Sequence, residues 1–218
     1  MTKPVKAILS TSYLGSIQYF SKFLLYPEVE IEQWETYQKQ SYRNRCYIYG
    51  ANGKQCLVIP VCKEPDLKMP IRDVTIDYSK SWQKVHWKSI ESAYRLSPWF
   101  EFYENSFIRF YGRDHRQKFL FDWNAELTSV ILNLLKIQAK PVYTSCYKKG
   151  PKGIADYRES IHPKKRLSKA DPHFNLLPYP QVFDSKFGFI PNLSIIDLLF
   201  NEGGHARDVL LGMVIGNR

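Results

Sequence analysis

The sequence contains no apolar run near the roughly 18 residues that a membrane-crossing helix needs. Its opening residues Thr2, Lys3, Pro4 and Lys6 do not form a hydrophobic signal segment. The expectation is a soluble protein of a cytoplasmic, reducing compartment. Cysteine is sparse: Cys46, Cys56, Cys62 and Cys146 include no CxxC spacing. That spacing argues against a structural zinc site and against a secreted disulfide framework, so no metal is expected and the thiols read as structural. Also missing are a Walker loop, GxGxxG, GxSxG and HExxH, which removes the sharpest signatures of nucleotide, hydrolase and metalloprotease chemistry. There is no internal repeat and no low-complexity tract.

What is present is a globular composition rich in rings. The chain has 218 residues, 44% hydrophobic and 15% aromatic, enough for one well-buried core and short for two full domains. A single domain over 1–218 is expected. The formal net charge is +10, which raises the question of a polyanionic partner. The basicity is local. Lys148, Lys149, Lys152, Arg158, Lys164, Lys165, Arg166 and Lys169 are opposed in their stretch only by Asp156 and Glu159. With Gly150, Pro151, Gly153 and Pro163 among them, residues 147–175 read as an exposed basic loop.

Val5 to Leu9 reads as a strand, followed by a polar loop and a helix carrying Ile17, Tyr19, Phe20, Phe23 and Leu24. Glu28 to Gln33 alternates as a strand. Arg45 to Tyr49 and Gln55 to Val61 form a hairpin around Asn52-Gly53. "DVTID", Asp73 to Asp77, is another alternating strand. Ser81 to Tyr94 is an amphipathic helix with Trp82, Val85, His86, Ser89, Ile90 and Ala93 on its inner face. Further helices are expected from Pro98 to Gly112, from Phe119 to Ile137, and from Leu193 to Asn201, ending at Gly203. Val142 to Tyr147 reads as a strand, and the stretch that opens "QVFDSKFGFIP" as a short strand and then a turn at Gly188. Strands cluster in the first third and helices after it, so the fold class is α+β or mixed α/β with helices packed on the sheet.

Three constellations carry potential chemistry. "STSYLGS", Ser10 to Ser16, sits between a strand and a helix, where hydroxyls and amides suit a phosphate or carboxylate. A capping loop is its ordinary alternative. Arg43, Asn44 and Arg45 offer forked donors for an anion, against the alternative of a solvated turn. The segment lacks the glycine-aromatic pattern of an RNA-binding surface, which makes nucleic acid the weaker partner. His86 faces inward as a general acid or base, or as a hydrogen-bonded core residue. His115, His162, His173 and His205 lie in charged loops or near turns.

Taken together, "SYLGSIQYF", the "RNR" of 43–45 with its following "IPV", Trp82 with His86, "SPWF" at 97–100 and "GFIPNLSIIDLLFNEG" resemble the WbqC-like family. These are bacterial proteins found in gene clusters for O-antigen and other surface polysaccharides. The chain departs from the pattern at Ser10-Thr11, where members carry Gln-Pro, and at Gly15, where they carry proline. The resemblance implies a small enzyme of surface-polysaccharide biosynthesis, a transferase of acyl or aminoacyl groups acting on a nucleotide-linked amino sugar. Under it, Ser12, Tyr13, Arg43, Asn44 and Arg45 would bind a small anionic sugar-nucleotide substrate and His86 would be catalytic. Glu32 and Glu35 receive no role. The cofactor would be an acyl or aminoacyl donor, and a biosynthetic partner protein would be a further associate. Two other classes stand beside this one: a non-catalytic binder of nucleic acid or anionic surfaces, and an accessory subunit of a glycosyltransferase docking through "SPWFEFYENSFIRFYG".

Overall fold

A computed structural model describes residues 5–62, 69–150, 153–164 and 166–216. Lys152 and Lys165 of the basic stretch, with Thr2, Lys3 and Pro4, lie outside the described residues. In chain order the elements are β1 (Lys6–Ser10), α1 (Ile17–Leu25), β2 (Glu28–Glu32), β3 (Arg45–Gly50), β4 (Gly53–Val58), α2 (Trp82–Tyr94), α3 (Phe100–Ile108), α4 (Leu120–Leu134), β5 (Val142–Tyr143), β6 (Ile154–Asp156), α5 (Asp184–Phe187), α6 (Ile195–Glu202) and α7 (Ala206–Gly212).

Ala7, Ile8 and Leu9 are a continuous apolar run, and all three are enclosed, as expected of a parallel strand covered on both faces. β1 is central in a four-stranded sheet of order β5-β2-β1-β6, and every pairing in it is parallel. The chain steps from β1 outward to β2 and β5, then crosses to the opposite side of β1 for β6. Such a reversal of strand order opens a crevice beyond the carboxyl ends of the strands on either side of it. β3 and β4 form a separate antiparallel hairpin closed from Gly50 to Gly53.

The core is aromatic. The Phe200 ring of α6 lies 5.1 Å from Tyr94, 5.2 Å from Phe100 and 5.6 Å from Phe107. Trp123 of α4 packs against Trp82, Phe110 and Tyr111. The fold is mixed α/β in one compact domain, with most strand residues N-terminal, as the pattern indicated.

Several elements differ from the sequence expectations. Residues 71–73 form a 3₁₀ turn, and "DVTID" contributes only single bridges, Thr75 to Phe119 and Ile76 to Val61. The alternation there reflects a chain wedged between neighbours rather than a ladder. Val85 is exposed, and Trp87 takes its place on the inner side of α2. The short strand expected before Gly188 is replaced by a loop leading into α5, a single helical turn capped by Gly188 at φ 71°. The expected strand from Val142 is only two residues long. The stretch that reads as an exposed basic loop holds β6, and Tyr157, Arg158, Ile161 and His162 within it are buried.

Candidate functional site

The loop before α1 is fastened to the loop before α6. Ile17 N donates to Leu193 O at 3.0 Å, Gln18 N to Asn192 Oδ1 at 3.0 Å, and Tyr19 N to Ser16 Oγ at 3.3 Å. These are the amides that a helix N-terminus would otherwise offer to an anion. Three first-turn donors of α1 therefore already have acceptors within the protein. Ser12 is 3% exposed, with its hydroxyl 3.5 Å from Tyr42 O. The Tyr13 hydroxyl is buried between His86 Nδ1 at 2.9 Å and Tyr111 Oη at 2.8 Å.

His86 is enclosed as well. Its ring meets Tyr13 on one side and the Val58 carbonyl as a further partner, and burial lowers its pKa to about 4. A neutral imidazole with its hydrogen bonds directed into the frame packs the core and lines neither crevice described below. Asn44 likewise ties the hairpin together, donating from Nδ2 to Ile59 O at 2.9 Å. Arg45 lies on β3 opposite Val58 and hydrogen-bonds Tyr47.

Arg43 alone of the five anticipated binding residues joins a charged cluster, and its partner is an acid of the same chain. Its Nε donates to Glu35 Oε1 at 2.9 Å and its Nη2 to Glu35 Oε2 at 2.6 Å, with Ser10 Oγ also at 2.9 Å. This two-pronged geometry is the strong form of the arginine-carboxylate pair. Burial pushes the Glu35 carboxyl above its usual value, and the Arg43 guanidinium opposes that shift. Arg158, following β6, makes the parallel arrangement: Nε to Asp156 Oδ1 at 3.0 Å, Nη2 to Asp156 Oδ2 at 2.6 Å, and Nη1 to Glu32 Oε2 at 3.3 Å. Glu32 is fully buried and also accepts from Thr144 Oγ1 at 2.7 Å and Trp34 N at 2.9 Å. His162 is buried close to this cluster, its Nδ1 accepting from Lys164 N at 3.0 Å. Burial and the Arg43 charge both lower its pKa.

These groups stand where β1, β2 and β6 end, at Ser10, Glu32 and Asp156, which is where the strand order reverses. Two adjoining crevices open there and share Arg158. The narrow one is lined by Ser10, Ser12, Tyr42 and Arg43. The wider, of about 460 Å³, is lined by Trp34, Gln38, Tyr147, Asp156 and Glu159. Aromatic walls beside a few fixed polar groups are the ordinary make-up of a small-molecule site. Among the described residues, no group of three or more His, Cys, Asp or Glu is arranged to hold a metal ion.

The sequence reading missed Glu32, Glu35, Asp156 and Arg158. The first two were visible as acids next to a strand end, but their arginine partners are set by the fold. For Arg158 the only local signal was "DYR", which places an arginine two residues after an aspartate at the end of a strand too short to recognise.

Fold and site define a mixed α/β protein with a polar and aromatic cleft at the switch point of a parallel sheet. The chain belongs to the WbqC-like protein family, whose model matches residues 11–170. It is similar to the "Uncharacterized protein Rv1507c" of Mycobacterium tuberculosis (strain ATCC 25618 / H37Rv), with 26% identity over 223 aligned positions covering 91% of each chain. No solved structure matches it. Among the described residues no helix is long and apolar enough to cross a membrane.

Proposed function

We propose that the protein is a cytoplasmic transferase of surface-polysaccharide biosynthesis that moves an acyl or aminoacyl group onto a nucleotide-linked amino sugar, and that the cleft at the carboxyl edge of the sheet is its site. The observation carrying this reading is the cleft itself: Trp34 and Tyr147 provide apolar faces for a sugar ring, and Gln38 and Glu159 provide acceptors and a donor for its hydroxyls. The pathway rests on the family resemblance. In this reading Arg43 braces Glu35 and Ser10 rather than clamping a phosphate, Ser12 lines the narrow crevice, and Tyr13, Asn44 and His86 hold the frame.

A nucleic-acid reading draws less support. Lys148 is paired with Glu30, and Arg158 with Asp156 and Glu32, so the basic stretch does not present an unbroken row of free charges. The accessory-subunit reading has one observation in its favour, the exposure of Leu96, Trp99 and Phe102 near the start of α3. Loss of co-elution with a purified glycosyltransferase in Phe102→Glu would support it.

The test is thermal unfolding of the wild type and Trp34→Ala with a nucleotide hexosamine, a coenzyme A ester and a short RNA, at two salt concentrations. Ligand about 100-fold above its Kd stabilises by about 2.7 kcal/mol, a rise in Tm of at least about 5 °C for a chain of this size. That rise is expected with the nucleotide sugar in the wild type and absent in Trp34→Ala. Stabilisation by RNA alone, vanishing at the higher salt, would overturn the reading.

A further inference from the structure

The charges around the cleft do not cancel. Arg43 is matched by Glu35, Arg158 by Asp156 and Lys148 by Glu30, while Glu32 and Glu159 remain. Glu32 is sealed in the interior among its donors. Glu159 faces the cleft with its side chain 59% exposed. Gln38 Nε2 holds its Oε1 at 2.9 Å, and Arg43 Nη2 stands 3.8 Å from the same oxygen. Oε2 has no hydrogen-bond partner among the described residues. Among the described residues, Glu159 is thus an oriented carboxylate with one oxygen directed to no internal group.

This arrangement bears on what enters. A phosphate in the cleft would meet guanidinium groups whose forks are already closed on carboxylates, so it would have to displace Asp156 from Arg158, or the buried Glu35 from Arg43, before forming its own bonds. A cation meets the reverse situation: a held carboxylate and two ring walls. Rings attract cations through their faces, but Arg158 already lies over the Tyr147 ring at 5.3 Å and Arg72 over the Trp34 ring at 4.4 Å, so the pairing of an incoming cation falls to the carboxylate. Exposed basic groups flank the lining residues in the chain, at Lys39 beside Gln38 and Lys149 beyond Tyr147. The lining holds more acid than base, and the exposed neighbours of Gln38 and Lys148 in the chain are basic.

We propose that the cleft takes the free-amine end of its sugar ligand and that Glu159 is the specificity residue, pairing with the ammonium while an anionic portion of the ligand stays near the exposed Lys39 and Lys149. The inference rests on the sugar-transferase reading and names which part of that substrate lies innermost. It carries a direct consequence. An N-acylated sugar has no ammonium and no claim on the Glu159 carboxylate, so the cleft prefers the acceptor before acylation to the product after it.

The experiment is calorimetric titration of the full-length chain at pH 6.5 with glucosamine, N-acetylglucosamine and glucose, in the wild type, Glu159→Gln and Trp34→Ala. A charge-assisted pair is expected to make glucosamine bind about ten-fold tighter than the two neutral sugars in the wild type. Glu159→Gln, an exposed and nearly isosteric change, is expected to bring the three affinities to within about two-fold, and Trp34→Ala to weaken all three alike. Equal affinities in the wild type, or an amine preference that survives Glu159→Gln, would overturn the proposal while leaving a sugar site in place. Failure of every sugar to bind, alongside binding of a coenzyme A ester or RNA, would overturn the sugar reading and this inference together.

Discussion

Burial brings the His86 imidazole down to about 4, against an ordinary value of 6.5, because the charged ring loses its water and retains only the Val58 carbonyl as compensation. The fold therefore accommodates the neutral ring and resists the charged one. Stability from this residue is intact above the unfolded value and is lost as pH falls through about 4. A depression of this size corresponds to about 3 kcal/mol between pH 7 and pH 4. His86→Gln is uncharged at both values and is expected to lose correspondingly less on acidification, measured by urea unfolding at each pH. Equal losses in the two proteins would mean that other groups carry the acid sensitivity. The same residue illustrates what a sequence can say of a histidine on an inner helix face. Its burial was legible from the apolar neighbours on α2, but the choice between proton transfer and packing depended on Tyr13 and Val58, both remote in the chain.

Between elements, α1 and α6 cap one another across 174 positions of sequence. Asn192 takes a positive φ of 52° and donates from Nδ2 to Gln18 Oε1 at 3.2 Å, while its Oδ1 receives Gln18 N. Ser194 Oγ donates to Leu14 O at 2.7 Å, and Ser16 bridges Ser194 in the antiparallel sense. "SYLGS" and "PNLSI" are thus two halves of one structural joint. Asn192→Ala removes a cap from α1 and leaves a Cβ residue in a left-handed conformation, so it is expected to cost about 1 kcal/mol or more. Asn192→Gly loses the same cap but relieves the backbone, and should be the less destabilised of the two by urea unfolding. A larger loss for Gly than for Ala would assign the residue's contribution to something other than this joint. That Asn192 serves α1 was not readable in the sequence, since neither spacing nor composition specifies which helix a cap will reach.

At the scale of the whole molecule, the segment after β6 decides the character of the site, and it was the least legible part of the chain. A strand of three residues is too short to show alternation, and its pairing with β1 is a contact that only the closed sheet creates. Its basic residues suggested an exposed loop because local counting cannot register acids contributed by β2. Once β6 has docked, Tyr157 bonds Tyr26 Oη at 2.7 Å, Arg158 reaches Glu32, and Asp171 pairs with the buried Lys22 of α1. The Lys22 ammonium also lies 4.6 Å from the Tyr157 ring, and burial lowers its pKa while Asp171 raises it. Removing one member of such a pair strands the other, at about 3–5 kcal/mol, whereas replacing both is nearly neutral. Lys22→Met alone is expected to show that loss and to speed amide hydrogen exchange in residues 157–171. Lys22→Met with Asp171→Asn, which keeps an oxygen for one of the two donors Asp171 serves, Gln18 Nε2 on Oδ2 at 2.9 Å or His173 N on Oδ1 at 3.2 Å, is expected to recover part of it. If the double variant instead loses more than either single one, the two groups stabilise the protein separately. The segment bearing Arg158 and Glu159 would then be held to α1 by something other than this buried charge.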